Sequence, residues 1–288
     1  MDEPKKILIT GANGQLGLCI KDVSTKHPSL QFYFKNSTEL DITKKVKIDK
    51  LFSEIKFDYC INCAAYTAVD KAESDSENAY LVNAEAVKYL AEACEKTGTT
   101  LIHISTDFVF DGAKKTPYTE VDQPNPINVY GASKVKGEKH VKEILEKYFI
   151  IRTSWVYSEH GNNFVKTMLR LANEKSEINV VNDQIGSPTY AGDLAEIIMK
   201  IISQEIKSYG TYHFSNEGVT NWFDFAKAIF EIKGVHIRVN PIASGAYPTL
   251  AIRPCSSLID KTKIATQLNM EIPYWRIRLK DCLSKIML

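Results

Sequence analysis

Short β-branched and apolar runs alternate with helical patterns through the first half of the chain. Residues 7–10, 31–34, 59–65, 99–105 and 148–152 read as strands. Helical patterns cover residues 44–54 and 132–146, and a longer helix is expected from about 75 to 96. In that longer segment Ala79, Val82, Ala86, Leu90 and Cys94 recur at spacings of three and four, which is the period of one buried helical face. Gly98 follows as a stop, because glycine adopts the positive φ of a helix end. Nearly continuous apolar strands separated by helices imply a parallel sheet covered on both faces. The expected fold class is α/β, a doubly wound parallel sheet of Rossmann type.

After Trp155 the rhythm loosens. Helices are expected near 163–172, 193–203, 222–231 and 275–286, with a strand at 211–214. Residues 182–189 read as a loop, and 241–254 carry Pro and Gly breakers. The resulting expectation is a nucleotide-binding domain over residues 1–158, with 189–215 returning to it. Residues 159–188 and 216–288 would then form a smaller C-terminal substrate-binding lobe.

Composition narrows the classes of partner. Lys and Arg total 36 against 35 Asp and Glu, so the formal charge is +1. That balance does not favour nucleic acid or an anionic membrane as the main partner. With 44% hydrophobic and 25% charged residues, the chain matches ordinary globular usage and builds a core without staples. No apolar stretch approaches the ~20 residues of a membrane span. The start of the chain reaches only Ile7-Leu8-Ile9 before polar residues return, too short for a secretory core, so a cytoplasmic location is expected. Cys60 and Cys63 spell C-x-x-C inside an apolar stretch; on a strand they would face opposite sides, so buried thiols are expected. The six histidines show no paired metal spacing, and no metal is expected.

Candidate chemistry begins at Thr10-Gly11-Ala12-Asn13-Gly14-Gln15-Leu16-Gly17, a T-G-x-x-G-x-x-G turn directly after the first strand. Gly11 would permit the tight turn, Gly14 the close approach of a pyrophosphate and Gly17 helix–strand packing. The helix that follows offers unpaired N–H groups and a partial positive charge. At the end of the second strand, where an acidic residue would select NADH, the chain has Lys35 and Asn36. NADPH is therefore the expected cofactor, with NADH possible as well. Asp41-Ile42 would serve the adenine, or Asp41 would cap the next helix.

Tyr130-Gly131-Ala132-Ser133-Lys134 spells Y-x-x-x-K at a helix start. Residues four apart share a helical face, so Lys134 would stand near the Tyr130 hydroxyl and favour its phenolate. Ser105-Thr106-Asp107 ends the preceding strand, at the carboxyl edge where ligands of open α/β sheets bind. A hydroxyl there would hold a substrate carbonyl beside Tyr130.

Taken together these motifs resemble the extended short-chain dehydrogenase/reductase family, and within it the reductases that act on dTDP-4-dehydro-L-rhamnose. The resemblance runs nearly end to end. It is carried by residues 11–17, 62–73, 105–110, 129–134, 152–155, 161–164 and 183–189, and by Arg253-Pro254. It implies NADPH-dependent reduction of the C4 carbonyl to give dTDP-L-rhamnose. Thr106, Tyr130 and Lys134 would be catalytic. Gly14, Gln15, Leu16, Asp41, Ile42, Ala65, Tyr66 and Thr67 would line the cofactor. Thr106, Asp107 and Trp155 would contact the sugar nucleotide, and Arg253 suits its diphosphate on chemical grounds. Some members dimerise through a metal held by glutamates near the first helix and the C-terminus. Cys19 and the ending Lys285-Ile286-Met287-Leu288 lack those carboxylates, so a monomer or weak dimer without bridging metal is expected. The alternatives are a UDP-sugar reductase or an epimerase of the same fold, or a non-catalytic NADP-binding regulatory subunit.

Overall fold

The computed structural model describes residues 3–286. The first half contains β1 (Lys5–Thr10), α1 (Gln15–Ser24), β2 (Leu30–Lys35), α2 (Lys45–Glu54), β3 (Tyr59–Asn62), α3 (Val69–Ala72), α4 (Ser76–Tyr80), α5 (Ala86–Thr97) and β4 (Thr100–Thr106). It continues through α6 (Val129–Ile144), β5 (Tyr148–Thr153), β6 (Val156–Tyr157), α7 (Phe164–Glu174), β7 (Glu177–Val181), β8 (Ile185–Gly186) and β9 (Thr189–Tyr190). The remainder is α8 (Ala191–Ser203), β10 (Gly210–Phe214), β11 (Thr220–Asn221), α9 (Trp222–Lys233), β12 (Arg238–Ile242), α10 (Thr262–Gln267) and α11 (Trp275–Ser284).

Six parallel strands form the main sheet in the order β10-β5-β4-β3-β1-β2. Strand alternation sends Ile7, Ile9, Ile61, Ile102 and Ile151 to one face, where they pack with α1 and α8. Leu8, Cys60, Leu101 and Ile150 go to the other, against α2, α5 and α6. The sheet is thus covered on both sides, as the uniformly apolar strands require. Chain order reverses between β1 and β3, which opens a crevice at their carboxyl ends. A separate apolar cluster joins α7, α9, α11 and the β7–β12 ladder.

Several elements differ from the sequence reading. The third strand is only Tyr59–Asn62, because the chain turns away at the sheet edge beside Gly11. The long helix is interrupted by a π-turn at Leu81–Glu85 between α4 and α5. α6 packs closely on this turn: a Cβ on Gly137 would lie 2.1 Å from the Asn83 carbonyl oxygen. Gly98 does end α5, in the left-handed region at φ 71°. α6 starts at Val129, where the Asn128 side chain accepts from the Gly131 N–H at 2.8 Å. Tyr130 therefore stands in the first helical turn. The β7–β12 pairing is additional, and Pro241 lies within it on a two-stranded ladder where a missing N–H is tolerated. Among the described residues no helix is long and apolar enough to cross a membrane.

Candidate active site

The glycine turn lies in the β1/β3 crevice. Gly11 has φ 63°, and a Cβ there would meet the Ala64 nitrogen at 2.6 Å. Only glycine allows both that conformation and that approach. Gly14 is the N-cap of α1, and no side chain caps the helix. Its first N–H groups, of Gln15, Leu16 and Gly17, are thus available to an anion. Gly17 has a different task from the expected helix–strand packing: its Cβ would meet Ala12 of the turn itself, at 2.6 Å from the carbonyl oxygen. The side chains of Leu16 and Ile42 are buried in the two core clusters. Gln15 is tied through Oε1 to Ser158 at 3.0 Å and Asn163 at 2.9 Å. Lys35 contributes its carbonyl to the turn, accepting from the Ala12 N–H at 3.1 Å.

Asp41 accepts from both the Thr43 N–H and its hydroxyl, and these bonds hold its carboxyl below the usual range. It braces the turn ahead of α2. Ala65, Tyr66 and Thr67 follow β3, next to the point where Gly11 touches Ala64. No motif marks Asn83 as the anchor of this segment: its Oδ1 accepts from the Tyr66 N–H at 2.9 Å, and its Nδ2 donates to the Tyr66 carbonyl and the Ser133 hydroxyl, both at 3.0 Å. The π-turn is what aims Asn83 between the cofactor-side loop and α6.

Thr106, Asp107 and Tyr130 meet where β4 ends. Thr106 donates from its hydroxyl to Asp107 Oδ1 at 2.9 Å and caps the turn at Asp107–Val109. Phe108 packs edge-on to Tyr130 with ring centroids 5.6 Å apart. Burial pushes the Tyr130 phenol up to about 12, the Thr106 hydroxyl opposes this, and the Asp107 charge adds to it. This corrects the expectation that Lys134 lowers it here. The Lys134 ammonium instead donates to the Ile104 carbonyl at 2.7 Å, and its own pKa is lowered to about 8 by burial. Asp107 is raised to about 6 by burial, against the hydroxyls of Ser257 and Thr106. Its Oδ2 is buried without a hydrogen-bond partner.

One helical turn beyond Lys134, Glu138 and Arg152 form a buried pair, each side chain 1% exposed. Arg152 donates from Nε at 2.8 Å and Nη2 at 2.6 Å, and Ser105 donates to the same carboxylate at 2.7 Å. α6 therefore presents Tyr130, Lys134 and Glu138 along one face at intervals of four. The pair locks that face to β4 and β5.

A cleft of about 1140 Å³ opens beside the site, lined by Phe108, Trp155, Phe164, Trp222, Tyr247 and Arg253 among others. Trp155 sits at φ 48° and stacks on Trp222 with centroids 3.6 Å apart. A non-glycine residue held there marks a site where surrounding structure overrides local preference. Trp222 also donates to Gln184 Oε1 at 3.2 Å; in the sequence it read only as a helix start. Arg253 reaches the cleft with its fork already engaged. It donates to both Asp70 carboxylate oxygens, at 2.9 and 2.8 Å. A diphosphate would meet a guanidinium pre-oriented by Asp70 rather than a free one.

The cysteines of the described residues are all unbridged, and burial raises the Cys19 thiol to about 12. Asp22, Glu159 and His160 bring ligand-type atoms within 4.8 Å of one another. Both acids have donors already: His160 Nε2 at 2.7 Å from Asp22 and Lys285 Nζ at 2.8 Å from Glu159.

Comparison with known proteins follows the same lines. The family model described as RmlD substrate binding domain matches residues 5–288. A dTDP-4-dehydrorhamnose reductase of Aggregatibacter actinomycetemcomitans is 43% identical over 96% of this chain and 97% of its own. The crystal structure of a dTDP-4-dehydrorhamnose reductase from Bacillus anthracis in complex with NADP superposes with TM-score 0.94 at 42% identity, covering 98% of this chain and 99% of that one. A UDP-glucose 4-epimerase of Thermus thermophilus has TM-score 0.84 at 18% identity, covering 97% and 98%; that likeness is one of fold alone.

Proposed function

Because the chain belongs to the RmlD substrate binding domain family, we propose that it is an NADPH-dependent dTDP-4-dehydrorhamnose reductase with Tyr130 as its general acid. The observation that carries this reading is the meeting of Thr106, Asp107 and Tyr130 at the end of β4, where Phe108 leads into the aromatic cleft, on a fold whose first helix has an uncapped N-terminus. The residues fit a dinucleotide. Gly11 leaves room at the crevice, the α1 N–H groups suit a diphosphate, and Lys35 suits a 2′-phosphate. Ala65, Tyr66 and Thr67 would line the opposite wall, and Lys134 would hold the ribose.

When bound, NADPH supplies the hydride that adds to C4 of dTDP-4-dehydro-L-rhamnose. The chain's own residues handle the oxygen. On substrate binding the Thr106 hydroxyl would turn its single proton from Asp107 Oδ1 to the carbonyl oxygen, and Tyr130 donates its proton as negative charge develops there. The phenol's raised pKa keeps it protonated at neutral pH, ready to donate. The Tyr130 phenolate left behind takes one proton from solvent in each turnover, while the Lys134 ammonium, held at the Ile104 carbonyl, would orient the cofactor ribose. Asp107 offers its unpaired Oδ2 to a sugar hydroxyl, Trp155 forms the apolar wall, and Arg253 faces the diphosphate.

NADPH oxidation by purified protein, given freshly made dTDP-4-dehydro-L-rhamnose and followed by mass spectrometry, tests the reaction. Tyr130→Phe should lower kcat by about 10²–10⁴ with a much smaller change in KM. Retention of near-normal turnover by that variant rules out the proton-transfer assignment. Tightly retained, recycled NAD⁺ without net oxidation would point to an epimerase.

A further inference from the structure

A polar row crosses the apolar sheet behind Lys134, and the mechanism above makes no use of it. Thr10, Asn62 and His103 are register partners on β1, β3 and β4, Thr10 opposite Asn62 and Asn62 opposite His103. They are 0%, 1% and 0% exposed. Polar groups buried this deeply need partners, and following the bonds assigns the protons. The Ala64 backbone N–H, which can only donate, lies 3.2 Å from Asn62 Oδ1; the Thr10 hydroxyl donates to the same oxygen at 2.6 Å. That fixes the orientation of the amide and directs Asn62 Nδ2 at His103 Nδ1, 3.1 Å away. An amide nitrogen donates only, so Nδ1 is the acceptor. The imidazole, held neutral by burial and by the nearby Lys134 charge, therefore carries its proton on Nε2. Nε2 faces Lys134 Nζ at 3.5 Å.

We propose that Thr10, Asn62 and His103 are positioning residues for Lys134, presenting a fixed Nε2–H to its nitrogen. The inference rests on the reading of Lys134 as part of the catalytic group. An N–H aimed at nitrogen donates to the lone pair of an amine and opposes an ammonium. The row thus favours the amine and leaves the Ile104 carbonyl as the ammonium's protein acceptor on that side. Other groups act on Lys134 from known directions. Glu138, one turn along α6, favours the ammonium. Tyr130 lies one turn before it, β3 contributes only the neutral Asn62, and Asp107, on the turn after β4, acts on Tyr130. The row begins at the residue preceding Gly11, so the same hydrogen bonds that set the lysine also brace the cofactor turn.

The test has two parts. Nitrogen NMR of the unliganded protein carrying ¹⁵N-histidine should show His103 protonated at Nε2 with an unprotonated, hydrogen-bonded Nδ1. A protonated Nδ1 overturns the inference, and this readout requires neither a variant nor turnover. The pH profile of kcat/KM then reports the consequence. His103→Gln, which can turn a carbonyl toward Nζ, and Asn62→Leu, which frees the ring to change tautomer, should both move the alkaline limb upward by roughly half a unit or more. Profiles that coincide with the parent, in variants whose circular dichroism and melting are native-like, overturn it as well. Loss of the catalytic reading is separately visible, as undiminished turnover in Tyr130→Phe.

Discussion

Replacing Asp107 with asparagine should make the protein less sensitive to rising pH, and by a calculable amount. The residue is 3% exposed, its Oδ1 accepts from the Thr106 hydroxyl at 2.9 Å and its Oδ2 has no partner. Burial raises the carboxyl from 3.8 to about 6. Between those values the native state holds a proton that the unfolded chain has released, so stability falls as pH rises through this window. By pH 7.5 the native state carries the full cost of about two pKa units, or roughly 3 kcal/mol at ~1.4 kcal/mol each. Asparagine keeps the Oδ1 acceptor and never ionises. Its amide nitrogen takes the Oδ2 position without a partner, a penalty of about 1–3 kcal/mol that does not change with pH. The difference in unfolding free energy between D107N and the parent should thus rise by roughly 2.5 kcal/mol from pH 4 to pH 7.5, whatever its starting value. Urea titrations of both proteins at four pH values measure it. A difference that stays flat across that range refutes the reasoning. The same change should lower kcat/KM by at least about tenfold, since an acceptor for a charge-assisted hydrogen bond is lost.

Two further outcomes follow from the same kind of argument. Glu138→Ala leaves Arg152 buried and uncompensated and should cost about 3–5 kcal/mol in urea unfolding. In the parent the Glu138 carboxyl is lowered from 4.5 to about 2, so its contribution is complete above pH 4.5 and disappears as pH falls toward 2; a parent whose unfolding energy is unchanged by the substitution contradicts the pair's role. Gly11→Ala forces a Cβ to 2.6 Å from the Ala64 nitrogen at φ 63°. It should weaken NADPH binding at least about tenfold, and strain the turn by about 1–3 kcal/mol, as read by fluorescence titration and melting; unaltered affinity would mean the crevice is not the dinucleotide site.

The doubly wound sheet was legible because its strands are apolar on both faces and its helices keep a 3.6-residue period. The glycine turn was legible for a related reason: close backbone approach leaves glycine as a fixed mark in the sequence. The ends of elements were not. β3 stops at Asn62 because Gly11 of a neighbouring strand's turn occupies the next position, a contact 52 residues away in the chain. The π-turn packs against α6, where Gly137 meets the Asn83 carbonyl, again a contact between distant parts of the chain. Tyr130 and Lys134 were marked by their spacing, yet spacing could not show that Lys134 turns toward Ile104 and His103 rather than toward the phenol. Arg253 was chosen for its chemistry; its Asp70 partner lies 183 residues away.

His103 shows where such reading stops and what replaces it. In sequence it is one polar residue in an apolar strand, most simply a partly buried side chain. The parallel register puts it beside Asn62, and Asn62 beside Thr10, so that three unrelated positions become one hydrogen-bonded line. That line ends at Lys134, whose helix continues to Glu138 and through it to Arg152 on β5. The cofactor turn, the catalytic helix and strand β5 are therefore linked by buried polar groups as well as by the apolar packing around them. Apolar contacts are non-directional and tolerate volume-conserving changes at little cost. Buried hydrogen bonds lose their partners instead, and a site that must align a phenol, an ammonium and a carbonyl oxygen is better held by the less forgiving kind.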